Sequence, residues 1–332
     1  MYIGIITPAP SGSLYGNRVT ALRWARMLRQ LDHRVVIRES YAGERFDLMV
    51  ALHAGRSFDS IDQFYRQHVD RPIIVGLTGT DLYRDLNRRK NAQRSLDIAT
   101  RIVVLQPRAL DELETAWREK TRIIHQSVSL RSPKSQPSSR TFDVCVVGHL
   151  RWVKDPFRTA MAARVLPASS RIKVMHLGGA MSASEGSRAQ REMASNPRYE
   201  WLGEVSPSRV RRVMSRSRLF VISSRMEGGA NVLGEAIVSG LPVLASRISG
   251  SIGILGEDYA GYFEVGDTAQ LSSLMIRCES EQAFLADLTS RCRKLIPLFD
   301  PRRELAAWKS LLNELRDWPV TFRGHQSPSQ NM

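Results

Sequence analysis

Lysine is scarce in this 332-residue chain, which has only seven lysines although lysine and arginine together number 48. The formal net charge is nevertheless +15 at pH 7, so nearly all of the positive charge is arginine. Arginine donates two hydrogen bonds from a planar fork, which suits nucleic acid, anionic membranes or small phosphorylated substrates. Zinc-finger spacing and RNA-binding aromatic motifs are both lacking, which argues against a nucleic-acid partner.

Cysteines and long apolar runs are also few. Cys145, Cys278 and Cys292 are odd in number and lack paired metal-ligand spacing, which predicts free or buried thiols in a reducing compartment. No window reaches the roughly 18 apolar residues of a membrane span. The N-terminal segment MYIGIITPAP has no basic leader before a long apolar run, so we expect no secretory signal and a cytoplasmic protein.

Short apolar strands alternate with helical patterns, which is typical of an α/β fold with a parallel sheet covered on both faces. Six strands are predicted between Tyr2 and Ser127, in YIGIIT, RVVIRE, DLMVALH, PIIVGLT, RIVVL and RIIHQS. A second series is predicted in FDVCVVGHL, RIKVMHLGG, YEWLGE, LFVISS and LPVLAS. We therefore expect two doubly wound sheets that face a ligand-binding cleft.

Composition also predicts the domain limits. Residues 130–141, LRSPKSQPSSRT, are rich in serine and proline and are expected to link an N-terminal domain, residues 1–129, to a second domain, residues 142–299. Residues 300–318 have helical spacing, and we expect a disordered tail over residues 319–332.

The segment EGGANVLGE carries the strongest functional signal. Gly228 and Gly229 are expected to adopt backbone angles closed to other residues and to turn amide N–H groups toward a diphosphate where a helix begins. Glu227 is predicted to lie in the loop before that helix and Glu235 about one turn inside it, so the two acids would grip different parts of an elongated nucleotide sugar. An ordinary glycine turn beside two solvated acids is the alternative interpretation.

The region from Tyr199 to Ser246 resembles the donor-binding half of GT-B glycosyltransferases of the retaining, family 4-like type, which carry a Glu, seven residues, Glu signature. The resemblance implies two Rossmann-like domains, with a last helix that crosses back to the first. It places Glu227 near the donor sugar and lets Glu235 accept hydrogen bonds from the nucleotide ribose. It also implies that backbone amides hold the diphosphate, from Gly229 through Ala230, Asn231 and Val232.

The motif GHLRWVKDP adds cations to this donor site. Lys154 fills the lysine position that binds the diphosphate in the family, whereas His149 occupies the position usually held by arginine. Arg151 is a candidate for the missing cation, so by resemblance Glu227, Lys154 and Arg151 form the catalytic group. Charge grows on a leaving nucleoside diphosphate, and each well-placed cation or amide lowers such a barrier by about 3–4 kcal/mol.

In the first domain, the loop PAPSGSLYG leads into a helix predicted to begin near Asn17 or Arg18, and Gly16 with Asn17 stands near the family's Gly-Gly position. Further polar residues follow the strand ends predicted at Leu52 and Leu77. The candidates for the cleft are His53, Arg56, Thr78, Thr80 and Asp81. A lone histidine is usually structural, so that interpretation of His53 stays open.

The motifs SGSLYGNR, LHAGRS, LTGTDLYRD, GHLRWVKDPFR, EGGANVLGEA and GEDYAGYFEVGD narrow the resemblance to the selenosugar synthases of selenoneine biosynthesis, the SenB family. That family implies attack by the selenium of selenophosphate on C1 of UDP-N-acetylglucosamine or UDP-glucose. The acceptor anion would meet Arg18, His53, Arg56, Thr78, Thr80 and Arg84.

Ionised selenium needs no general base. Because no Asp-x-Asp ends a strand, we expect no metal and no cofactor, with UDP-sugar and selenophosphate as the partners.

Three alternatives remain open. An ordinary glycosyltransferase would act on a saccharide or lipid acceptor, with the arginine cluster between Arg209 and Arg218 resting on an anionic membrane rather than forming a solvated helix face. An epimerase of the same fold would interconvert nucleotide sugars without any acceptor. A non-enzymatic nucleic-acid-binding protein would bind duplexes with a steep salt dependence.

Overall fold

The computed structural model describes residues 1–86, 88–129 and 136–316, and within them the chain forms two six-stranded sheets in which every strand pair is parallel. The first sheet contains β1 (Tyr2–Ile6), β2 (Arg34–Arg38), β3 (Leu48–Leu52), β4 (Ile73–Gly76), β5 (Arg101–Val104) and β6 (Thr121–Ile123). The second contains β7 (Phe142–Val147), β8 (Ile172–Leu177), β9 (Tyr199–Trp201), β10 (Leu219–Ile222), β11 (Val243–Ser246) and β12 (Tyr262–Phe263). The predicted α/β class with two Rossmann-like sheets is confirmed.

Helices cover both sheets. They are α1 (Gly16–Gln30), α2 (Phe58–Gln67), α3 (Lys90–Ile98), α4 (Thr115–Glu119), α5 (Arg158–Arg164), α6 (Ala183–Ser195), α7 (Pro207–Arg216), α8 (Asn231–Val238), α9 (Ser249–Leu255), α10 (Thr268–Ser280), α11 (Gln282–Lys294) and α12 (Pro301–Arg316). With helices on both faces, central strands such as β3 and β10 are buried at every residue, which explains their unbroken apolar runs.

Strand order locates the place where ligands bind such folds. The first sheet has the order β2-β1-β3-β4-β5-β6, and the second has the order β12-β11-β10-β7-β8-β9. The order therefore reverses between β1 and β3 and again between β10 and β7. Parallel α/β sheets bind ligands beyond the carboxyl ends of the strands at these reversals. The loops after β3, β7 and β10, together with the first turns of α1 and α8, carry most of the predicted site residues.

All eleven predicted strands are present, with small differences at the ends of elements. The twelfth strand, β12, was not predicted, because two residues are too few to show an alternating pattern. The helix α1 begins at Gly16 rather than at Asn17 or Arg18, and β4 ends at Gly76, one residue before the expected Leu77.

The last described helix, α12, packs on the first sheet although it follows the second in sequence. Trp308 lies against Trp24 of α1 with ring centroids 4.9 Å apart and an edge-on angle of 68°. Leu311 and Leu312 join the same core as Ile3 and the other apolar residues of the first sheet. The chain thus crosses from one sheet to the other twice.

The predicted domain limits stay predictions. Residues 130–135 of the predicted linker lie outside the described residues, and residues 136–141 contain no helix or strand. The predicted tail also lies outside them, as do the last two residues of the 300–318 segment. No described helix is long and apolar enough to cross a membrane.

The arginine cluster lies only partly on one helix. Arg209, Arg212 and Arg216 are exposed on α7, as expected for a solvated face. Arg218 lies beyond the end of α7, and its guanidinium donates to the backbone oxygen of Ser138.

Replacing Trp308 with alanine should lower the free energy of unfolding by about 3–5 kcal/mol, because a fully buried indole leaves a cavity between α1 and α12. Urea denaturation of the purified protein measures this change. The exposed neighbour Lys309 provides the control, since Lys309→Ala should have little effect. Similar unfolding curves for both variants would show that α12 does not stabilise the first sheet.

Candidate functional site

Glu227 lies in the loop after β10, directly before Gly228, and it is almost fully buried. Its Oε1 atom forms an ion pair with Lys154 and also accepts a hydrogen bond of 2.6 Å from the Ser224 hydroxyl. The aliphatic part of Lys154 lies beside Gly148, at the end of β7. The two loops at the reversal of the second sheet therefore bring together two of the three residues predicted to be catalytic.

The structure explains the two glycines at positions 228 and 229 differently from the prediction. Neither Gly228 nor Gly229 adopts a positive φ, so the prediction of backbone angles closed to other residues is wrong. A Cβ on Gly228 would instead lie 2.5 Å from the carbonyl carbon of Thr78, and one on Gly229 would lie 2.5 Å from the Cβ of Leu105. Glycine is required because the loop after β10 packs directly on the first sheet's loops.

The Thr78–Thr80 turn is held by Asp81, which is fully buried. Its carboxylate accepts the backbone N–H groups of Thr78, at 3.1 Å, and of Gly79, at 2.8 Å. Thr80 places its hydroxyl 3.3 Å from the Nε2 atom of His53. Asp81 therefore fixes the turn against Gly228 and is not free to face a ligand.

His53 is buried, with 3% of its surface exposed, and it adopts a φ of 74°. Such a backbone angle is rare outside glycine and often marks strained functional loops. Its Nδ1 atom accepts the Arg56 backbone N–H at 3.2 Å, while Nε2 lies 3.7 Å from Asp85. Both ring nitrogens thus have protein partners, which matches the structural interpretation of this histidine.

The predicted acceptor-side arginines Arg18, Arg56 and Arg84 have different partners. Arg84 donates from Nε to Asp85 at 3.0 Å, so its charge is already paired. Arg18 reaches the hydroxyl of Ser11 at 3.3 Å, and its buried Nε atom has no partner. Arg56 is exposed and its side chain has no partner among the described residues.

His149 lies where the loops after β1 and β7 meet. Its ring lies edge-on to Tyr15, with centroids 5.6 Å apart, and Tyr15 directly precedes Gly16 and Asn17. The Nδ1 atom accepts the Gly179 backbone N–H at 3.2 Å. Arg151, by contrast, is exposed and its side chain has no partner within the described part of the chain.

Asn231 and Glu235 lie on α8, which begins directly after Gly229 and Ala230. Glu235 is one turn inside the helix, as predicted, and its side chain has no hydrogen-bond partner among the described residues. Burial raises the pKa of Glu235, and the positive charges of Arg23 and Arg211 oppose that rise. Val232 is half-buried beside them in the first turn.

Arg23 was not predicted, yet it joins the two halves of the site. Its guanidinium donates to the side-chain oxygen of Asn231 and, at 2.7 Å, to the backbone oxygen of Ser127. The negative carboxylates of Glu304 and Glu235 interact electrostatically with this guanidinium. A sequence signal existed, because Arg23 stands on the face of α1 that buries Thr20, Trp24 and Met27.

The described residues include no group of three or more histidine, cysteine, aspartate or glutamate side chains that would hold a metal ion.

A family model described as "Glycosyl transferases group 1" matches residues 130–295, half of the chain. The chain belongs to this family of glycosyltransferases. The match covers the second sheet and includes the Glu227 loop and α8. No curated protein is significantly similar to this glycosyltransferase in sequence.

Solved structures support the same fold. HepE from Anabaena, in complex with UDP, superposes with a TM-score of 0.74 at 14% identity, covering 94% of this chain and 99% of that chain. Sucrose-phosphate synthase from Thermosynechococcus elongatus gives a TM-score of 0.76 at 15% identity, covering 95% and 99%. A glycosyltransferase from Rickettsia africae gives 0.75 at 12%, covering 96% and 99%. The predicted GT-B fold and the predicted enzyme class are confirmed.

Gly228→Ala should separate the two halves of the glycosyltransferase, because the added Cβ would overlap the Thr78 peptide. We expect a loss of about 1–3 kcal/mol in the free energy of unfolding, together with a larger radius of gyration by small-angle X-ray scattering.

Gly186→Ala on α6 is the matched control, because the nearest atom to its Cβ would lie at an ordinary 3.5 Å. That variant should keep the wild-type radius and should lose no stability, because alanine favours a helix more than glycine does. An unchanged radius and unfolding energy in Gly228→Ala would contradict the close packing of the two loops.

Proposed function

We propose that this glycosyltransferase is a selenosugar synthase that transfers the sugar of UDP-N-acetylglucosamine or UDP-glucose to selenophosphate. The UDP-sugar part is supported by the structural neighbour HepE, which has been solved with UDP and with UDP-glucose. The acceptor is supported by the sequence motifs that resemble selenosugar synthases and by the chemistry of the cleft.

The donor is assigned to the second sheet. The diphosphate would lie at the start of α8, where the N–H groups of Ala230, Asn231 and Val232 have the positive end of the helix dipole behind them. Glu235 would accept the ribose hydroxyls, and Gly16 with Asn17 would approach from the first sheet. His149 would line one edge of this site, and Arg151 would supply a cation that has no other partner among the described residues.

The observation that carries the acceptor assignment is that the candidate bases on the first sheet are all engaged. His53 uses both ring nitrogens, Asp81 holds the Thr78 turn, and Asp85 pairs with Arg84. A sugar hydroxyl would gain no proton acceptor from these three groups. An acceptor that is already ionised, such as selenophosphate, needs none.

Lys154 would act on the leaving group. Without substrate its ammonium is neutralised by Glu227 in a mostly buried setting. A diphosphate placed at α8 would compete for that ammonium and leave Glu227 beside the donor sugar. The acceptor would meet Arg18, Arg56 and the hydroxyls of Thr78 and Thr80, with Arg84 at the edge.

The proposed reaction forms a bond between selenium and C1 as the bond between C1 and the UDP oxygen breaks. UDP leaves with the electron pair, and Lys154 balances its new charge. Water then cleaves the selenium–phosphorus bond, which releases phosphate and leaves a 1-selenosugar. No metal ion or other cofactor takes part.

An ordinary glycosyltransferase acting on a saccharide or lipid is the second candidate. Sucrose-phosphate synthase, a structural neighbour, is named for making a sugar phosphate, and the exposed arginines of α7 offer a surface for an anionic lipid. This candidate predicts salt-sensitive sedimentation with anionic vesicles and UDP release that depends on a carbohydrate acceptor.

Anaerobic incubation with UDP-N-acetylglucosamine or UDP-glucose and selenophosphate should yield UDP and a sugar that carries the selenium isotope pattern by mass spectrometry. Lys154→Ala should slow this reaction about 100- to 1000-fold, the usual effect of removing one charge-stabilising group. Lys173→Ala, which changes an exposed lysine on β8, should behave as wild type.

Thiophosphate and water serve as alternative acceptors in the same assay. UDP-sugar binding without a selenium product would favour the second candidate. Equal rates for Lys154→Ala and wild type would remove Lys154 from the catalytic group.

The affinity for UDP should weaken as the pH falls, with a transition above the usual titration range of glutamate, because burial raises the pKa of Glu235. Protonation removes a carboxylate that accepts the ribose hydroxyls, and such charged hydrogen bonds are worth about 1.5–3 kcal/mol. Calorimetric titration of UDP over a range of pH measures the change.

Glu235→Gln is the reference, because it keeps the titration of the UDP phosphates and loses that of Glu235. Identical pH profiles for the two proteins would exclude Glu235 from donor binding.

A further inference from the structure

Asp155 follows the single-turn segment Trp152–Lys154 and adopts left-handed backbone angles, with φ 43° and ψ 56°. Only Asp32, His53 and Asp155 have a positive φ among the non-glycine residues that the structure describes. Aspartate tolerates this conformation better than most residues, but it still costs more than glycine. The turn that presents Lys154 therefore depends on an unusual backbone at the next residue.

The Asp155 side chain is held from two directions. Its Oδ2 atom accepts a hydrogen bond of 2.9 Å from Nε of Arg158 and lies 3.5 Å from a terminal nitrogen of Arg225. The carboxylate is mostly buried, with 13% of the side chain exposed. Arg158 is itself anchored, because it donates to the Thr268 hydroxyl of α10 at 2.6 Å.

Asp155 thereby links the two loops that carry Lys154 and Glu227. Arg225 stands two residues before Glu227, and its backbone N–H donates to the Val153 oxygen at 2.8 Å. The Ser223 hydroxyl lies 3.0 Å from the Asp155 backbone oxygen. The side chain and the backbone at Asp155 thus fasten the loop after β7 to the loop after β10.

We propose that Asp155, with Arg225 as its partner, is a positioning residue that sets the geometry of the Lys154–Glu227 pair. The carboxylate accepts a short, directed, charge-assisted hydrogen bond from Arg158, and the Arg225 guanidinium adds an ion pair at 3.5 Å. The inference rests on the proposed catalytic roles of Lys154 and Glu227. A shift of about 1 Å in a catalytic group can reduce turnover about 100-fold.

Three substitutions separate the backbone contribution from the charge. Asp155→Asn keeps a residue that tolerates left-handed angles and loses only the charge. Asp155→Gly keeps the backbone and removes the carboxylate, and Asp155→Ala removes both. We expect turnover with UDP-N-acetylglucosamine to fall least in the asparagine variant and about 100-fold in the other two, with the KM for the donor nearly unchanged.

A spectroscopic readout makes the test independent of the acceptor. Because the chain has only seven lysines, carbon-13 reductive methylation gives few signals, and Lys154→Arg identifies that of Lys154. Asp155→Gly should shift the Lys154 signal while the other lysine signals stay in place. If Asp155→Gly does not fold, Arg225→Met replaces it, since that change leaves the turn itself intact.

Asp32→Gly is the matched control, because Asp32 also has a positive φ, 61°, but is exposed beyond α1. It should leave turnover and the Lys154 signal unchanged. An unmoved Lys154 signal with normal turnover in Asp155→Gly would overturn the inference. Normal turnover in Lys154→Ala would instead remove Lys154 from the catalytic group on which the inference rests, and the absence of a selenium product with the wild-type enzyme would overturn the proposed function.

Discussion

The closed cleft depends on the contact between the Gly228 backbone and the Thr78–Gly79 peptide. No side-chain atom fits between them, so the loop after β10 is pressed on the loop after β4. This contact lies directly beside Glu227, which the second sheet's own loops hold against Lys154, and just before the start of α8. Arg23 adds a polar link from α1 to Asn231 on the other side. Under the proposed function, a nucleotide sugar would enter between these loops only if the two sheets moved apart.

The arginine excess has a structural explanation as well as an electrostatic one. Arg23, Arg118, Arg198 and Arg218 all donate hydrogen bonds to backbone oxygens of loops. The fork of arginine can satisfy two acceptors with one side chain, which the ammonium of lysine does less well. Part of the positive charge therefore stabilises connections between elements, and only the rest is available to attract anionic substrates.

Sequence patterns were sufficient for the fold class and for eleven of the twelve described strands. Alternating apolar segments located eleven strands, and motifs at strand ends located Glu227, Lys154 and the Thr78 turn, because carboxyl ends of parallel strands converge. The requirement for glycine at position 228 could not be deduced, because it comes from contact with Thr78, which is distant along the chain. Arg23 and Asn231 are 208 positions apart, and no local pattern records such a pairing. The left-handed backbone at Asp155 could not be predicted from the periodicity of the sequence either.

The burial of Cys145, Cys278 and Cys292 has a practical consequence. Burial raises the pKa of all three thiols, and the thiolate is the form that reacts with maleimides and disulfides. The natural cysteines should therefore react very little with thiol reagents in the folded protein. Two cysteines introduced on opposite sheets would accept a fluorophore pair selectively, so that energy transfer could follow the separation of the sheets in real time while the three natural cysteines are kept.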